Sequence, residues 1–460
     1  MKRLIALYTI PYLILMLASS LIGSDIKETD DMFYPAFLND KDMIIPKAEK
    51  KPFTFSYGGW LMPIVIDERN GDGKNELLSS ITIGKLWVKS WLWERSAIYL
   101  RVKDVYTGIL REKNIDIDNS DNLFDLDVGY WSISNSNNTL KLYIGRKFFI
   151  IGTGLIFNGR GDGCQFDLNS KYVDFRLIGV YSGYLKKDNN PYNLSDKDIS
   201  DGSKRIFTGG TISKIIYNQK VYLFGLAQID KGKDSAGIKS KYNSEYYGLG
   251  FTGVFQNAYY FGEFIHERGK SYLSDPDPIT GLYEKQNIYA FAAVFGLQYY
   301  LNLSYNPVLL LNYAYASSDK NRINYQSPSG NESGKDNGFI YFGTYVGGYA
   351  LRPLLSNIHV MRCGLSILPF YNSKRQFLKR MNLIIKHSYY YKNDSNSGIN
   401  SGEALLNSRD IGHGDDVMLR WKIFYDLSAY VNYAIFIPGN AYPSSEENRY
   451  FFMGGLIISF

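Results

Sequence analysis

Residues 450–460 read YFFMGGLIISF and bring the chain to its last residue. Taken at period two, Phe452, Gly454, Leu456, Ile458 and Phe460 fall on one face, and Phe451, Met453, Gly455, Ile457 and Ser459 on the other. A strand this apolar, left as the bare edge of a soluble sandwich, would template aggregation. A sheet closed on itself has no such edge.

The rest of the composition agrees. The chain has 460 residues, 16% of them aromatic with 40 Tyr, and 43 Gly against 14 Pro. That excludes a disordered chain and suits many strands with aromatic rings at two lipid–water interfaces. Mean hydropathy is −0.22, too low for an α-helical membrane protein. The net charge of +6 is mild, and no basic run interleaved with aromatics points to nucleic acid.

Met1-Lys2-Arg3, then the uncharged apolar run 4–17, then Ala18-Ser19-Ser20 have the order of a cleaved secretory signal peptide, with a second cleavage site at Gly23-Ser24. Beyond residue 24 no apolar run reaches the length of a membrane helix. An exported chain without such a helix crosses a membrane only as a barrel. A terminal apolar strand closing on Phe460 also resembles the assembly signature of outer-membrane barrels.

The expected class is therefore all-β: a transmembrane antiparallel barrel of about eighteen strands over 53–460. A signal peptide (1–24) and a short polar periplasmic segment (25–52) precede it. The outgoing strands are read at 53–66, 95–107, 139–150, 172–183, 220–230, 258–268, 304–318, 379–392 and 427–437. The returning strands are read at 77–89, 123–134, 160–168, 206–217, 242–255, 286–300, 355–370, 411–424 and 447–460. The strand number must be even if both ends lie in the periplasm, and short turns must alternate with long loops. The long connections 108–122, 184–205, 269–285, 319–353 and 393–410 are rich in Asn, Ser, Asp and Gly.

Alternation then sorts the faces. With Ile98, Leu100 and Val102 toward lipid, Arg95, Tyr99, Arg101 and Lys103 face the lumen. Leu126, Val128 and Tyr130 outside leave Asp125 and Asp127 inside. Val173, Phe175 and Leu177 outside leave Asp174 and Arg176 inside. Val417, Leu419, Trp421 and Ile423 outside leave Asp416, Met418, Arg420 and Lys422 inside. Lys141, Arg146, Asp167, Glu263, Glu267 and Lys386 complete the inward set. A charge on the lipid face at mid-bilayer costs about 2–4 kcal/mol, which gives the sorting its energetic basis. An inner wall this charged holds water. The apolar content of 148–160 and 319–353 hints that these loops fold inward.

Signs of catalysis are scarce. The four histidines are scattered, and neither a nucleophile elbow nor a paired-histidine metal motif occurs. Cys164 and Cys363 are read as unpaired. Arg160-Gly161-Asp162 reads as a chance tripeptide in a loop, 68–73 as a surface loop without a full calcium pattern, and 413–416 as a solvated loop end. No enzyme activity, metal or cofactor is expected.

Two longer stretches go further. Residues 144–168 carry Gly145-Arg146-Lys147, a glycine-rich segment and Phe166-Asp167. Residues 412–442 end a strand on Phe436-Ile437-Pro438-Gly439. In this order they resemble the alginate export family, and 338–349 resembles a Tyr/Gly-rich loop of that family. Lys147 stands where the family has glutamine, a tryptophan expected inside the first stretch is missing, and the lumen charges are mixed rather than dominated by arginine. The resemblance implies a passive outer-membrane channel for an anionic polysaccharide, working beside periplasmic export machinery. The residues alone also admit a porin for small polar solutes, and a closed adhesive or structural barrel.

Overall fold

The computed structural model describes residues 54–71, 76–113, 121–232, 241–272, 283–320, 322, 334–399 and 403–460. The signal peptide and the polar lead-in expected from the sequence lie outside them.

Eighteen antiparallel strands form one closed sheet among these residues. They are β1 Phe55–Asn70, β2 Glu76–Trp93, β3 Ser96–Lys113, β4 Asp121–Ser134, β5 Leu140–Ile151, β6 Phe157–Asn169, β7 Asp174–Tyr181, β8 Arg205–Ile216 and β9 Gln219–Asp230. Then follow β10 Asn243–Phe255, β11 Ala258–Tyr272, β12 Lys285–Tyr300, β13 Val308–Ala316, β14 Ile358–Ile367, β15 Met381–Lys392, β16 Asp410–Lys422, β17 Leu427–Pro438 and β18 Arg449–Ser459. Each strand pairs with its sequence neighbours, and β18 pairs with β1 to close the barrel. The two-way hydrogen bond between Phe460 and Gly59, at 2.9 and 3.1 Å, ties the chain end into this seam. Among the described residues no helix is long and apolar enough to cross a membrane.

The walls show the expected period. On β1, Leu61 and Val65 are exposed to the outside while Met62, Ile64 and Ile66 are buried inside. On β18, Phe452 and Leu456 point out, and Phe451 and Met453 point in. At the periplasmic end Tyr57, Trp93, Tyr172, Tyr217, Phe255 and Tyr425 form an exposed aromatic rim, where an amphipathic ring meets both lipid and water. The tight turns obey local rules: Tyr217 and Asn218 both take φ > 0 (48° and 65°), as a two-residue hairpin turn requires. The two free cysteines sit on separate strands, Cys164 on β6 and Cys363 on β14.

Several expectations need correction. Arg95 lies in the exposed turn at 94–95, because β2 runs on to Trp93. It does not face the lumen. Val128 and Tyr130 do not face lipid. Arg101 pairs with Val128 but Val102 with Leu126, so Asp127 is the extra residue of a β-bulge. From there the parity of β4 inverts: Val128 is fully buried and Tyr130 stacks on inward-facing Tyr99. Arg160-Gly161-Asp162 belongs to β6 and 413–416 to β16; neither is a loop. Glu68 and its neighbours to Asn70 extend β1.

The first apolar loop and the described part of the second, 334–353, turn inward. β5 pairs with β4 only as far as Arg146, while its pairing with β6 continues to Ile151. The upper β5–β6 hairpin therefore leaves the wall and crosses the lumen. Gly145 makes the departure, at φ +127°, where a Cβ would lie 2.3 Å from the Gly129 carbonyl oxygen. Residues 334–357 come in from the other side and meet the hairpin edge to edge. Phe342 N donates to Ile156 O and Thr344 N to Gly154 O, both at 3.0 Å. Phe149, Ile151, Leu155, Ile156, Phe157, Phe339 and Phe207 are completely buried in the resulting core.

Candidate translocation path

Two glutamates on β11 hold the infolded loops. Glu263 accepts from Thr153 N at 2.8 Å, Thr153 Oγ1 at 3.0 Å and Tyr222 Oη at 2.8 Å. It thus latches the tip of the β5–β6 hairpin to the far wall. Glu267, four residues along on the same inward face, accepts from Tyr242 Oη at 2.6 Å, Tyr246 Oη at 3.0 Å and Ile340 N at 3.0 Å. That latches residues 334–357. Both glutamates are fully buried. A third loop, 182–204, is pinned by fully buried Arg205, which reaches Asp198 at 2.5 Å and Asp230 at 3.1 Å and donates from Nε to Tyr192 O.

A charged network fills the gap that the hairpin leaves. Asp127 takes Arg101 Nε at 2.7 Å, Arg160 Nη1 at 3.2 Å and Lys85 Nζ at 3.4 Å. Asp125 takes Arg160 Nη2 at 2.9 Å and Asn189 Nδ2 at 2.8 Å, with Arg146 Nη1 at 3.6 Å. Lys103 Nζ donates to Asn189 Oδ1 at 2.9 Å, which ties the network to loop 182–204. Arg146 starts from the opposite face of β5 and enters through the gap, gripping Asp162 at 3.0 and 2.9 Å and the Leu126 and Tyr184 carbonyls. Among the described residues the network sets five cations against Asp125, Asp127 and Asp162.

Further inward charges form two groups on separate arcs of the wall. On one, Asp167 accepts Arg176 Nε at 2.8 Å, with Lys141 and Asp174 in register beside them. On the other, Arg362 binds Asp416 at 2.9 Å and the Val346 carbonyl at 2.7 Å, next to Lys386, Arg420 and Lys422. Tyr349 N also donates to Asp416, so this arc braces loop 334–357.

The structure thus brings Arg101, Lys103, Asp125, Asp127 and Arg146 together. It places Lys141, Asp167, Asp174 and Arg176 on one lower arc and Arg420 and Lys422 on the other. Sequence reading missed Lys85, Arg160, Asn189 and Arg362. The same alternation applied to β2 would have found Lys85, since Leu86 and Val88 face out. Arg160 carried no such signal: its parity is that of the outer face.

The two halves of the lumen therefore differ. Inward residues of the extracellular half are packed under the loops. Those of the periplasmic half, including Trp60, Trp87, Tyr130, Lys141, Tyr143, Arg176, Arg420 and Lys422, keep partial exposure. On this lower wall Lys89, Lys141, Arg176, Lys220, Lys386, Arg420 and Lys422 face Asp167, Asp174 and Asp416. A closed barrel with a charged lumen narrowed by latched loops defines an outer-membrane channel protein.

Comparison with known proteins makes the assignment specific. The chain belongs to the alginate export family, whose pattern matches residues 201–451, more than half of its length. The match takes in the Phe436–Gly439 strand end but not the 144–168 stretch. Among solved structures it is similar to OccAB1 of Acinetobacter baumannii, at 11% identity and TM-score 0.56, covering 90% of this chain and 99% of that one. OccK2 (OpdF) of Pseudomonas aeruginosa, crystallised with glucuronate, shows 12% identity and TM-score 0.53 over 89% of this chain and all of that one. The outer membrane protein opdK of the same organism gives 10% identity and TM-score 0.54, covering 88% and 99%. At these identities the likeness is one of fold. No curated protein sequence matches.

Proposed function

We propose that this channel passes an anionic polysaccharide of the uronate class, by diffusion along the cation-rich lower wall. The observation that carries the reading is the excess of Lys and Arg over Asp and Glu on the partly exposed inner face. Family membership supports the same direction. Cations that already share carboxylate partners hold an anionic chain weakly enough to release it, as conduction requires. The charges of the buried network mainly support the wall; Lys141, Arg176, Arg420 and Lys422 are the ones that meet the solute.

A second reading has its own support. The latched loops narrow the extracellular half, which favours short anionic saccharides or other small polar solutes over a long polymer. The structural likeness to a barrel crystallised with glucuronate is compatible with it. Single-channel recording in a planar bilayer separates the two. The polymer reading expects anion-selective current that polyuronate interrupts for times that lengthen with chain length. Block by monomeric uronate alone selects the small-solute reading. Cation selectivity, or indifference to both, overturns the proposal.

A further inference from the structure

Below the charged network, five aromatic side chains from five consecutive strands stand side by side on the inner wall. Trp60 of β1 is 6.5 Å from Trp87 of β2 between ring centroids, Trp87 is 6.0 Å from Tyr99 of β3, Tyr99 is 5.5 Å from Tyr130 of β4, and Tyr130 is 5.7 Å from Tyr143 of β5. The first four rings meet at interplanar angles of 23–33°, so they overlap like shingles; Tyr143 ends the row edge-on at 71°.

Tyr99 is buried between its neighbours and backs the row. The other four rings are partly exposed and occupy inward-facing positions. Trp60, Trp87 and Tyr99 lie diagonally across the register and only Tyr99 and Tyr130 sit directly opposite each other, so the row descends toward the periplasm as it passes round the wall. Cations stand over both ends: the Arg101 guanidinium 6.0 Å from the Trp60 ring and the Lys147 ammonium 4.5 Å from the Tyr143 ring.

From this we infer that the row is a saccharide-binding track, on which the C–H faces of successive pyranose rings pack against Trp60, Trp87, Tyr130 and Tyr143, with partly exposed Lys141, two residues from Tyr143, to meet a carboxylate. The inference rests on the anionic-saccharide reading for its charged half only. Its physical basis is separate. A sugar ring has faces of polarised C–H groups that sit well on the electron-rich face of an aromatic ring, and one ring after another offers repeated weak contacts along a path. A hydrophobic core does not need this arrangement: the rings stand where the lumen is solvent-accessible, and aliphatic side chains would seal that wall as well.

The test compares three probes on the full-length protein in a planar bilayer: a hexauronate, a neutral glucose hexamer and hexaglutamate, an acidic peptide of comparable charge. Trp87→Leu is expected to shorten the hexauronate dwell time at least tenfold and that of hexaglutamate less than twofold. Trp87→Phe, which keeps a ring, recovers most of the loss and shows that the barrel assembles. The outward-facing Trp93→Leu serves as the control. Equal loss for hexauronate and hexaglutamate overturns the track. If the glucose hexamer blocks in a Trp87-dependent way while the channel shows no anion preference, the track stands and the anionic reading falls.

Discussion

Asp127 is the residue on which the in-wall network turns. It is the bulge residue of β4, and Lys85, Arg101 and Arg160 all converge on its two oxygens. The bulge directs Asp127 and Val128 to the same side, so one extra residue both creates the acceptor and swings the rest of the strand around. Without it Lys85 and Arg101 lose their carboxylate in a dry place, and Arg160 keeps only Asp125. Asp127→Ala is therefore expected to lower unfolding stability by about 3–5 kcal/mol, read from urea unfolding in lipid vesicles. A loss under 1 kcal/mol would mean that water already reaches these cations.

At the scale of elements, the upper β5–β6 hairpin belongs to the lumen rather than to the wall. Its departure leaves the top of β4 without a partner on that side, and Arg146, Arg160 and loop 182–204 fill the breach. Its tip is held by Glu263 through two hydrogen bonds from Thr153, and Tyr222 of β9 donates a third to the same carboxylate. Gly152 beside it takes φ +62°, and a Cβ there would come within 2.6 Å of the Glu263 carboxyl. Only glycine lets the backbone approach the latch so closely. Glu263→Ala removes the acceptor and leaves Thr153 and Tyr222 with orphaned donors. The expected result is larger open-channel conductance with added flicker, at a stability cost of about 1–3 kcal/mol. Unchanged conductance would show that the hairpin holds its place by apolar packing alone.

The whole molecule is a channel with two differently built halves: an extracellular half filled by latched loops, and a periplasmic half whose wall is cationic and partly wet. On the proposed reading, selectivity belongs to the periplasmic half. Because those charges stand in contact with water, salt screens them over roughly 8–10 Å at 0.1–0.15 M ionic strength. Anion preference, measured as reversal potential in a salt gradient, is expected to be strong at low salt and to fall steadily toward 1 M. A preference independent of salt would place the selective charges in the dry network instead.

Much of this was legible in the residues. Period-two alternation, even strand number and alternating loop lengths are local and repetitive, so the eighteen strands and most of the inward charges could be read from the chain itself. Glu263, Glu267, Arg101 and Arg420 fell to the lumen by that rule alone, and the Phe436–Gly439 strand end lies within the family match. Alternation fails wherever the ladder is interrupted. The Asp127 bulge inverted Val128 and Tyr130, and a strand that ran four residues further took Arg95 out of the lumen. Arg160, on the outer parity, became a network residue because β5 had left its neighbour. The infolding was hinted at by apolar loops, but its latches join residues 73 and 110 positions apart, and no local pattern records such a pairing. The aromatic row is the same kind of fact: five rings on five strands are neighbours only once register and closure set them side by side. Sequence determined which face each regular residue takes; only the closed tertiary structure decided which of those residues meet.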